Sequence, residues 1–262
     1  MPEGDTVYLA ATRLNGALAG QTLTRTDFRV PRFATVDLSG RRVLEVAARG
    51  KHLLFRIQDG VTLHTHFMMD GVWQLYRPGQ RWRAPAFQAR AVLETMPWVA
   101  VGFRLAVTEV IETTGEHEVV GHLGPDLLGS DWDPDEALRR LEAQGDRLLG
   151  DALLDQTVMA GLGNVYKCEV CFLGGLDPWL PVAGVAALKR VVSLSKRLIE
   201  ANRTTGSQVT TGDLRRGRGQ WVYARAGRPC RRCGTPIRRR QEGAERVTYW
   251  CPRCQPRQEA GH

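Results

Sequence analysis

The residues Pro2-Glu3-Gly4-Asp5 set an imino acid directly before a carboxylic acid at the start of the chain. Removal of Met1, which a small following residue such as Pro2 permits, leaves Pro2 with a secondary amine. An α-amino group titrates near ~8 and a lysine near ~10.4. At neutral pH the first is therefore about 10 % free base and the second below about 0.1 %. A neutral amine attacks an electrophilic carbon to form an iminium, and an adjacent Glu3 can give or take the proton that this requires. The plain alternative is a start segment with no role, so the rest of the chain has to decide.

Six cysteines fall into three C-x-x-C pairs. Cys230 and Cys233 are separated by seventeen residues from Cys251 and Cys254. Two such pairs, each at a tight knuckle, are the spacing of a four-thiolate zinc site. The Thr-, Val-, Tyr- and Arg-rich residues between them predict a β-hairpin. Four thiolates leave no open coordination position, so one structural Zn2+ is expected rather than a catalytic one. Two disulfides are the alternative. Cys168 and Cys171 lie inside a predicted helix and read as core thiols, with redox or metal use as their alternative.

Charge is unevenly placed. The whole chain carries +8, yet residues 215–262 hold thirteen arginines against three acids. Such a tail points to a polyanion, nucleic acid above all. A solvated arginine-rich surface is the other reading, since only four lysines occur in the chain. No apolar run approaches the ~18–20 residues of a membrane span. The start lacks the basic-then-apolar layout of a signal peptide. The expectation is a cytoplasmic protein, where thiols stay reduced.

These groups need elements to hold them. Val7, Ala11, Leu14 and Leu18 repeat at helical spacing, with Asp5 as the expected N-cap and Gly20 as the stop. From about Thr22 to Glu112 the pattern turns to short β-rich runs, including residues 42–46, 52–57, 61–67 and 91–95. Asp59-Gly60 is a hairpin turn signal. Seven or eight strands predict a β-sandwich or barrel with the first helix packed on it. Near Gly121 the chain becomes helical. Asp133-Pro134-Asp135-Glu136 is a helix start with cap, proline and acid in order. Ala137, Leu138 and Leu141 form its apolar face. Further helices are expected over 150–159, 165–173 and 185–201, the first two joined by Ala160-Gly161-Leu162-Gly163-Asn164. The fold expected is α+β and multidomain: a β-sandwich over 1–120, a helical domain over 121–221, and the zinc-finger hairpin and tail over 222–262.

Pro2-Glu3-Gly4, the Gly50-Lys51 step, Leu153-Leu154-Asp155-Gln156, Ala160-Gly161-Leu162-Gly163-Asn164-Val165-Tyr166 and the four-cysteine finger, in that order, resemble the formamidopyrimidine-DNA glycosylase/endonuclease VIII family. The resemblance implies a helix-two-turn-helix module between sandwich and finger. It also implies roles. Pro2 attacks the sugar C1′ as the damaged base leaves, Glu3 protonates the ring oxygen, and Lys51 contacts phosphate and assists base loss. Asn164 and Arg246 bind the phosphate beside the lesion, by donor–acceptor and forked contacts that suit phosphate oxygens. The reacting nucleotide has to leave the duplex. Met69 matches the residue that wedges into the gap, with Met68 as a helper and strand packing as the alternative.

Gly4 and Gly71-Val72-Trp73 resemble the endonuclease VIII branch, as does a short connector before the finger. The expected activity is thus a glycosylase/AP lyase acting on oxidised pyrimidines and abasic sites by β,δ-elimination, as a monomer on damaged DNA without a small-molecule cofactor. Asp5-Thr6 departs from the Pro-Glu that many relatives carry there, which puts an auxiliary acid at that position in doubt. An oxidised-purine enzyme, a catalytically silent DNA-binding relative, and a zinc-ribbon scaffold for acidic protein are the other readings.

Overall fold

Helix α1 (Gly4–Leu18) opens the computed structural model, which describes residues 2–242 and 246–257, with the side chains of Glu242 and Arg246 outside that description. Val7, Ala11, Leu14 and Leu18 are buried along one stripe, as their spacing requires. The cap differs from expectation. Glu3 occupies the N-cap position, and Asp5 lies buried in the first turn, where a carboxyl group meets the positive end of the helix.

The chain then forms β1 (Arg25–Phe28), β2 (Val43–Arg49), β3 (His52–Ile57), β4 (Val61–His66), β5 (Val72–Tyr76), β6 (Ala89–Glu94), β7 (Val99–Phe103) and β8 (Val107–Glu112). They make two four-stranded sheets in the orders β1-β6-β7-β5 and β2-β3-β4-β8, all pairings antiparallel. Leu53, Phe55 and Leu63 from one sheet share a core with Phe28, Leu93 and Ala100 from the other. Alternation along each strand sends the intervening residues to the opposite faces. The sandwich is therefore present, and α1 closes it: Val7, Leu14 and Leu18 join the same core, and the Val46 amide donates to Asn15 Oδ1 at 2.8 Å. Asp59 (φ 65°) and Gly60 (φ 70°) make the left-handed turn between β3 and β4 that their types predict. The short α2 (Glu116–Val120) ends this unit, which spans Met1–His122.

Leu123–His262 forms the second unit. It contains α3 (Pro134–Glu142), α4 (Leu149–Ala152), α5 (Asn164–Gly174) and α6 (Leu188–Asn202), then the antiparallel hairpin of β9 (Arg238–Glu242) and β10 (Arg246–Trp250). Asp133 caps α3 as predicted, accepting from the amides of Asp135 and Glu136. The helix expected over 150–159 stops at Ala152. Asp155 Oδ1 takes the Thr157 amide at 2.8 Å and its hydroxyl at 2.7 Å, so a side chain supplies the acceptor that a helical carbonyl would have offered. The last predicted helix begins at Leu188, after a 3-10 turn at Val182–Gly184.

Helix α5 is buried from Asn164 to Phe172. One face, Tyr166, Val170 and Cys171, packs among the helices; Cys168 and Phe172 pack with Val222, Cys230, Ile237 and Cys251 of the finger. Gly175, at φ 71°, ends it, and its amide returns to the carbonyls of Cys171 and Phe172. Among the described residues no helix is long and apolar enough to cross a membrane.

Candidate active site and metal centre

In the N-terminal unit, Pro2 is half-buried and Glu3 is fully buried, 0 % exposed, at the head of α1. Met1 lies outside the described residues. Lys51 follows Gly50, whose φ of 57° makes the tight turn between β2 and β3. Met68 and Met69 are 56 % and 61 % exposed at the turn after β4, so the strand-packing alternative for them does not hold. That turn is braced. The Gly71 amide donates to Phe67 O at 2.9 Å, Met68 N–H donates to His66 Nδ1 at 3.0 Å, and Arg104 Nε donates to Asp70 O at 3.2 Å. A Cβ at Gly71 would sit 2.6 Å from Phe67 O, so only glycine permits this closure.

Between these turns lies a group that sequence reasoning missed. His52 Nδ1 is 2.9 Å from His64 Nε2, and His64 Nδ1 is 3.1 Å from Glu109 Oε2. The His52 ring meets the rings of His66 and His122 edge-on, at centroid distances of 4.8 and 6.4 Å. Burial, then the neighbouring His66, His64, His122 and Lys51, drives the His52 pKa down to about 3. Burial, Lys51 and His64 bring His66 down to about 4. The alternation of His64 and His66 with Leu63 and Thr65 was the available signal, since it places both imidazoles on one face of β4.

In the C-terminal unit, Gln156 organises the turn ahead of α5. Its Nε2 donates to Leu154 O (2.8 Å) and Leu162 O (2.9 Å), and its Oε1 accepts from the Gly161 amide (3.0 Å). Asp155 accepts from Arg147 at 2.5 Å; burial opposes its charge, but the Thr157 and Arg147 hydrogen bonds hold its pKa below the usual value. Asn164 begins α5. Its Nδ2 donates to Val247 O at 2.9 Å, pinning the helix to β10, while its buried Oδ1 has no hydrogen-bond partner among the described residues. An orphaned acceptor beside a helix N-terminus is a place where a bound group or water completes the bonding. Arg246 starts β10 opposite Glu242, and its side chain lies outside the described residues.

Glu169 on α5, which with Asp155 matches an acidic position of the family's helical module where capping or orientation is the expected role, serves the connector. Its carboxyl group accepts the amides of Trp221 (2.8 Å), Val222 (2.9 Å) and Tyr223 (2.9 Å) together with the Thr210 hydroxyl. Asn202 takes both the amide and the carbonyl of Val209, at 2.7 and 2.9 Å. The connector from α6 to the finger is thereby clamped at both ends.

The four predicted cysteines converge. Their sulfurs all lie within 4.8 Å of one another, with Cys233 and Cys251 at 3.5 Å and Cys230 and Cys254 at 3.9 Å. A tetrahedron of Zn–S bonds of about 2.3 Å requires sulfur separations of about 3.8 Å, so the set fits one zinc ion. Gly234, at φ 77°, lets the first knuckle turn, and Gln255 closes the second by accepting the Cys251 amide at 3.0 Å. Cys168 and Cys171 are fully buried in α5 as core thiols and are not among the four converging sulfurs; burial pushes Cys171 up to about 12.

The family model described as formamidopyrimidine-DNA glycosylase N-terminal domain matches residues 1–108, and that described as a zinc finger found in FPG and IleRS matches residues 227–257. The probable endonuclease 8 2 of Streptomyces coelicolor is 56 % identical over 261 residues, covering 97 % of this chain and 94 % of its own. The DNA-(apurinic or apyrimidinic site) lyase Nei2 of Mycolicibacterium smegmatis is 51 % identical, covering 97 % and 99 %. A formamidopyrimidine-DNA glycosylase of Heliobacterium modesticaldum is 32 % identical, covering 97 % and 100 %. Among solved structures, Lactococcus lactis Fpg in complex with abasic-site DNA has the same fold, with a TM-score of 0.81 at 22 % identity over 97 % of this chain and 100 % of that one. With the N-terminal model, the finger and relatives named endonuclease 8 matching along its length, the chain belongs to the formamidopyrimidine-DNA glycosylase/endonuclease VIII family of DNA-repair enzymes, on the endonuclease VIII side.

Proposed function

We propose that the protein is a bifunctional DNA glycosylase/AP lyase that removes oxidised bases, pyrimidines above all, and cuts the strand at the resulting site. The observation that carries this reading is the half-buried Pro2 directly before the fully buried Glu3 at the head of α1. With Met1 removed, the Pro2 amine attacks C1′ of a nucleotide turned out of the duplex. The C1′–base bond breaks and the base leaves, while Glu3 protonates the ring oxygen and the sugar opens to an iminium. That iminium is the electron sink for β- and then δ-elimination of the flanking phosphates. Hydrolysis finally releases Pro2.

Lys51, Asn164 and Arg246 hold the phosphates near the lesion in this reading, and Met69 fills the gap left by the flipped nucleotide. The exposure of Met68 and Met69 on a braced turn supports the wedge, and the unsatisfied Asn164 Oδ1 beside the N-terminus of α5 supports a bound group there. The zinc ion held by Cys230, Cys233, Cys251 and Cys254 fixes the hairpin that carries Arg246 and takes no part in the chemistry. Two observations favour pyrimidines. Relatives at 49–56 % identity carry endonuclease 8 names, and the connector over 203–221 is tied down by Asn202 and Glu169, leaving little free chain to cap a purine. The enzyme acts as a monomer on damaged DNA, in the compartment that holds the chromosome.

Borohydride trapping tests this on DNA with a single thymine glycol, beside abasic-site DNA. Protein starting at Pro2 is expected to give a covalent adduct on both, and an N-terminally extended chain, which has no free amine at this position, to lose it. Trapping on abasic DNA alone would overturn the lesion assignment. An absence of adducts from zinc-loaded, Pro2-started protein would overturn the enzyme reading in favour of a silent binder. For Lys51→Gln, the slope of log Kd against log salt is expected to fall by about one, the signature of one lost phosphate contact.

A further inference from the structure

The Lys51 turn and the Met69 turn leave the sandwich side by side. β3 starts at His52, immediately after Lys51, and β4 ends at His66, two residues before Met68. His52 and His66 are register partners. Whatever orients this pair orients both turns.

Proton bookkeeping shows that the orientation has one solution with neutral rings. Glu109 presents carboxylate oxygen to His64 Nδ1 at 3.1 Å, so that nitrogen carries the proton. The Nε2 of a neutral His64 is then an acceptor, and the 2.9 Å contact to His52 needs the proton on His52 Nδ1. His66 Nδ1 accepts the Met68 amide at 3.0 Å, so its own proton sits on Nε2. The His64 and His52 assignments follow in turn from a carboxylate that can only accept; the His66 assignment is set separately by the Met68 amide, and His66 meets His52 through an edge-on ring contact at 4.8 Å. The charged groups around the chain are Lys51 on the turn before β3, Glu109 on β8, and Glu116 at α2, which is itself engaged by Arg56 (2.9 Å) and Thr62 (2.7 Å); His122 faces it from the end of the unit.

We propose that His64 and Glu109 are positioning residues: through this one-directional chain they fix the tautomer and orientation of His52, whose ring packs edge-on against His66, and thereby steady the turns that carry Lys51 and Met69. A proton added to His66 Nδ1 would face the Met68 amide and break the brace of the wedge turn. A proton added to His52 would put a second positive charge beside Lys51. Burial holds both rings neutral across the working pH range, which keeps the brace intact. An apolar residue would fill the volume of His64 at least as stably, since buried polar chains rarely add net stability. The polar chain therefore serves geometry. The role rests on the proposed glycosylase reading.

The test compares His64→Gln with His64→Leu. Glutamine can donate from Nε2 to Glu109 and accept at Oε1 from His52, so it rebuilds the chain; leucine fills the space and cannot. Single-turnover removal of thymine glycol at pH 7.5 is expected to stay within about twofold for His64→Gln. For His64→Leu it should fall about tenfold, a loss of ~1.4 kcal/mol of transition-state stabilisation, with Tm unchanged or raised. Equal rates for the two folded variants would overturn the proposal. Imidazole 15N shifts of the wild-type protein supply a second reading that needs no substrate and no variant. Protons on His64 Nδ1, His52 Nδ1 and His66 Nε2, with His52 and His66 untitrated down to pH 5, are expected. Another tautomer set, or titration of either ring near 6.5, would overturn the chain. If the wild type excises nothing, the glycosylase reading fails, and the 15N shifts still decide the hydrogen-bond chain.

Discussion

The two units bury ionisable side chains in opposite ways. In the N-terminal unit, His52 and His66 sit against further histidines and Lys51, and burial holds them neutral. In the C-terminal unit, Glu169 lies fully buried within a ring of donors from Thr210, Trp221, Val222 and Tyr223. The first solution avoids further charge near Lys51, the lysine proposed to hold phosphate. The second uses one carboxyl group to anchor a connector that has little regular structure. Clustering neutral imidazoles preserves a local geometry, whereas saturating a carboxyl group with backbone donors replaces secondary structure that the segment lacks.

The largest effect that separates the units is metal removal. Stripping zinc with a chelator, or Cys251→Ser, is expected to unfold the finger, because structural zinc supplies on the order of 10 kcal/mol to such modules. One equivalent of zinc should be released per chain. Amide exchange should accelerate across β9–β10 and leave β2–β4 protected; equal acceleration in both would mean that the units do not respond separately. Next comes Glu169→Ala. It strands the buried Val222 amide and the part-buried amides of Trp221 and Tyr223, at about 1–3 kcal/mol each when fully buried, so a loss of about 3–5 kcal/mol is expected after local relaxation. Calorimetry would read it, and a change below about 1 kcal/mol would show that the clamp contributes little.

A pH effect of opposite placement follows. The folded pKa values of His52 and His66, about 3 and about 4, lie below the unfolded value. Between those values and ~6.5 the unfolded chain binds more protons than the folded one. This contribution to stability is complete above ~6.5 and is lost as pH falls through the window. Exchange corrected for intrinsic rate is expected to rise at β3 and β4 between pH 7.5 and 5, and not at α5. A uniform rise would contradict the assignment. The smallest expected change is Asp133→Ala, a loss of about 1 kcal/mol from an α3 cap with no change in Kd for abasic-site DNA. Weakened DNA binding in that variant would link α3 to the interface.

Much of this was legible because it is local. The knuckles at Cys230-x2-Cys233 and Cys251-x2-Cys254, the Asp133 cap and the Asp59-Gly60 turn each depend on residues a few positions apart. The α1 stripe held for the same reason, although its cap moved to Glu3. The helix expected over 150–159 failed because Asp155 and Gln156 divert their side chains to the backbone, a competition that apolar periodicity does not register.

The order of motifs pointed to the family and the fold, since each motif answers to a short-range constraint of turn, cap or metal. The tertiary structure alone assembled His52, His64 and Glu109, placed Glu169 against Trp221, Val222 and Tyr223, and set Asn164 against Val247. Those partners lie from twelve to more than eighty positions apart. Hydrogen bonds of that reach depend on strand register and helix packing, and no spacing rule along a single chain encodes them.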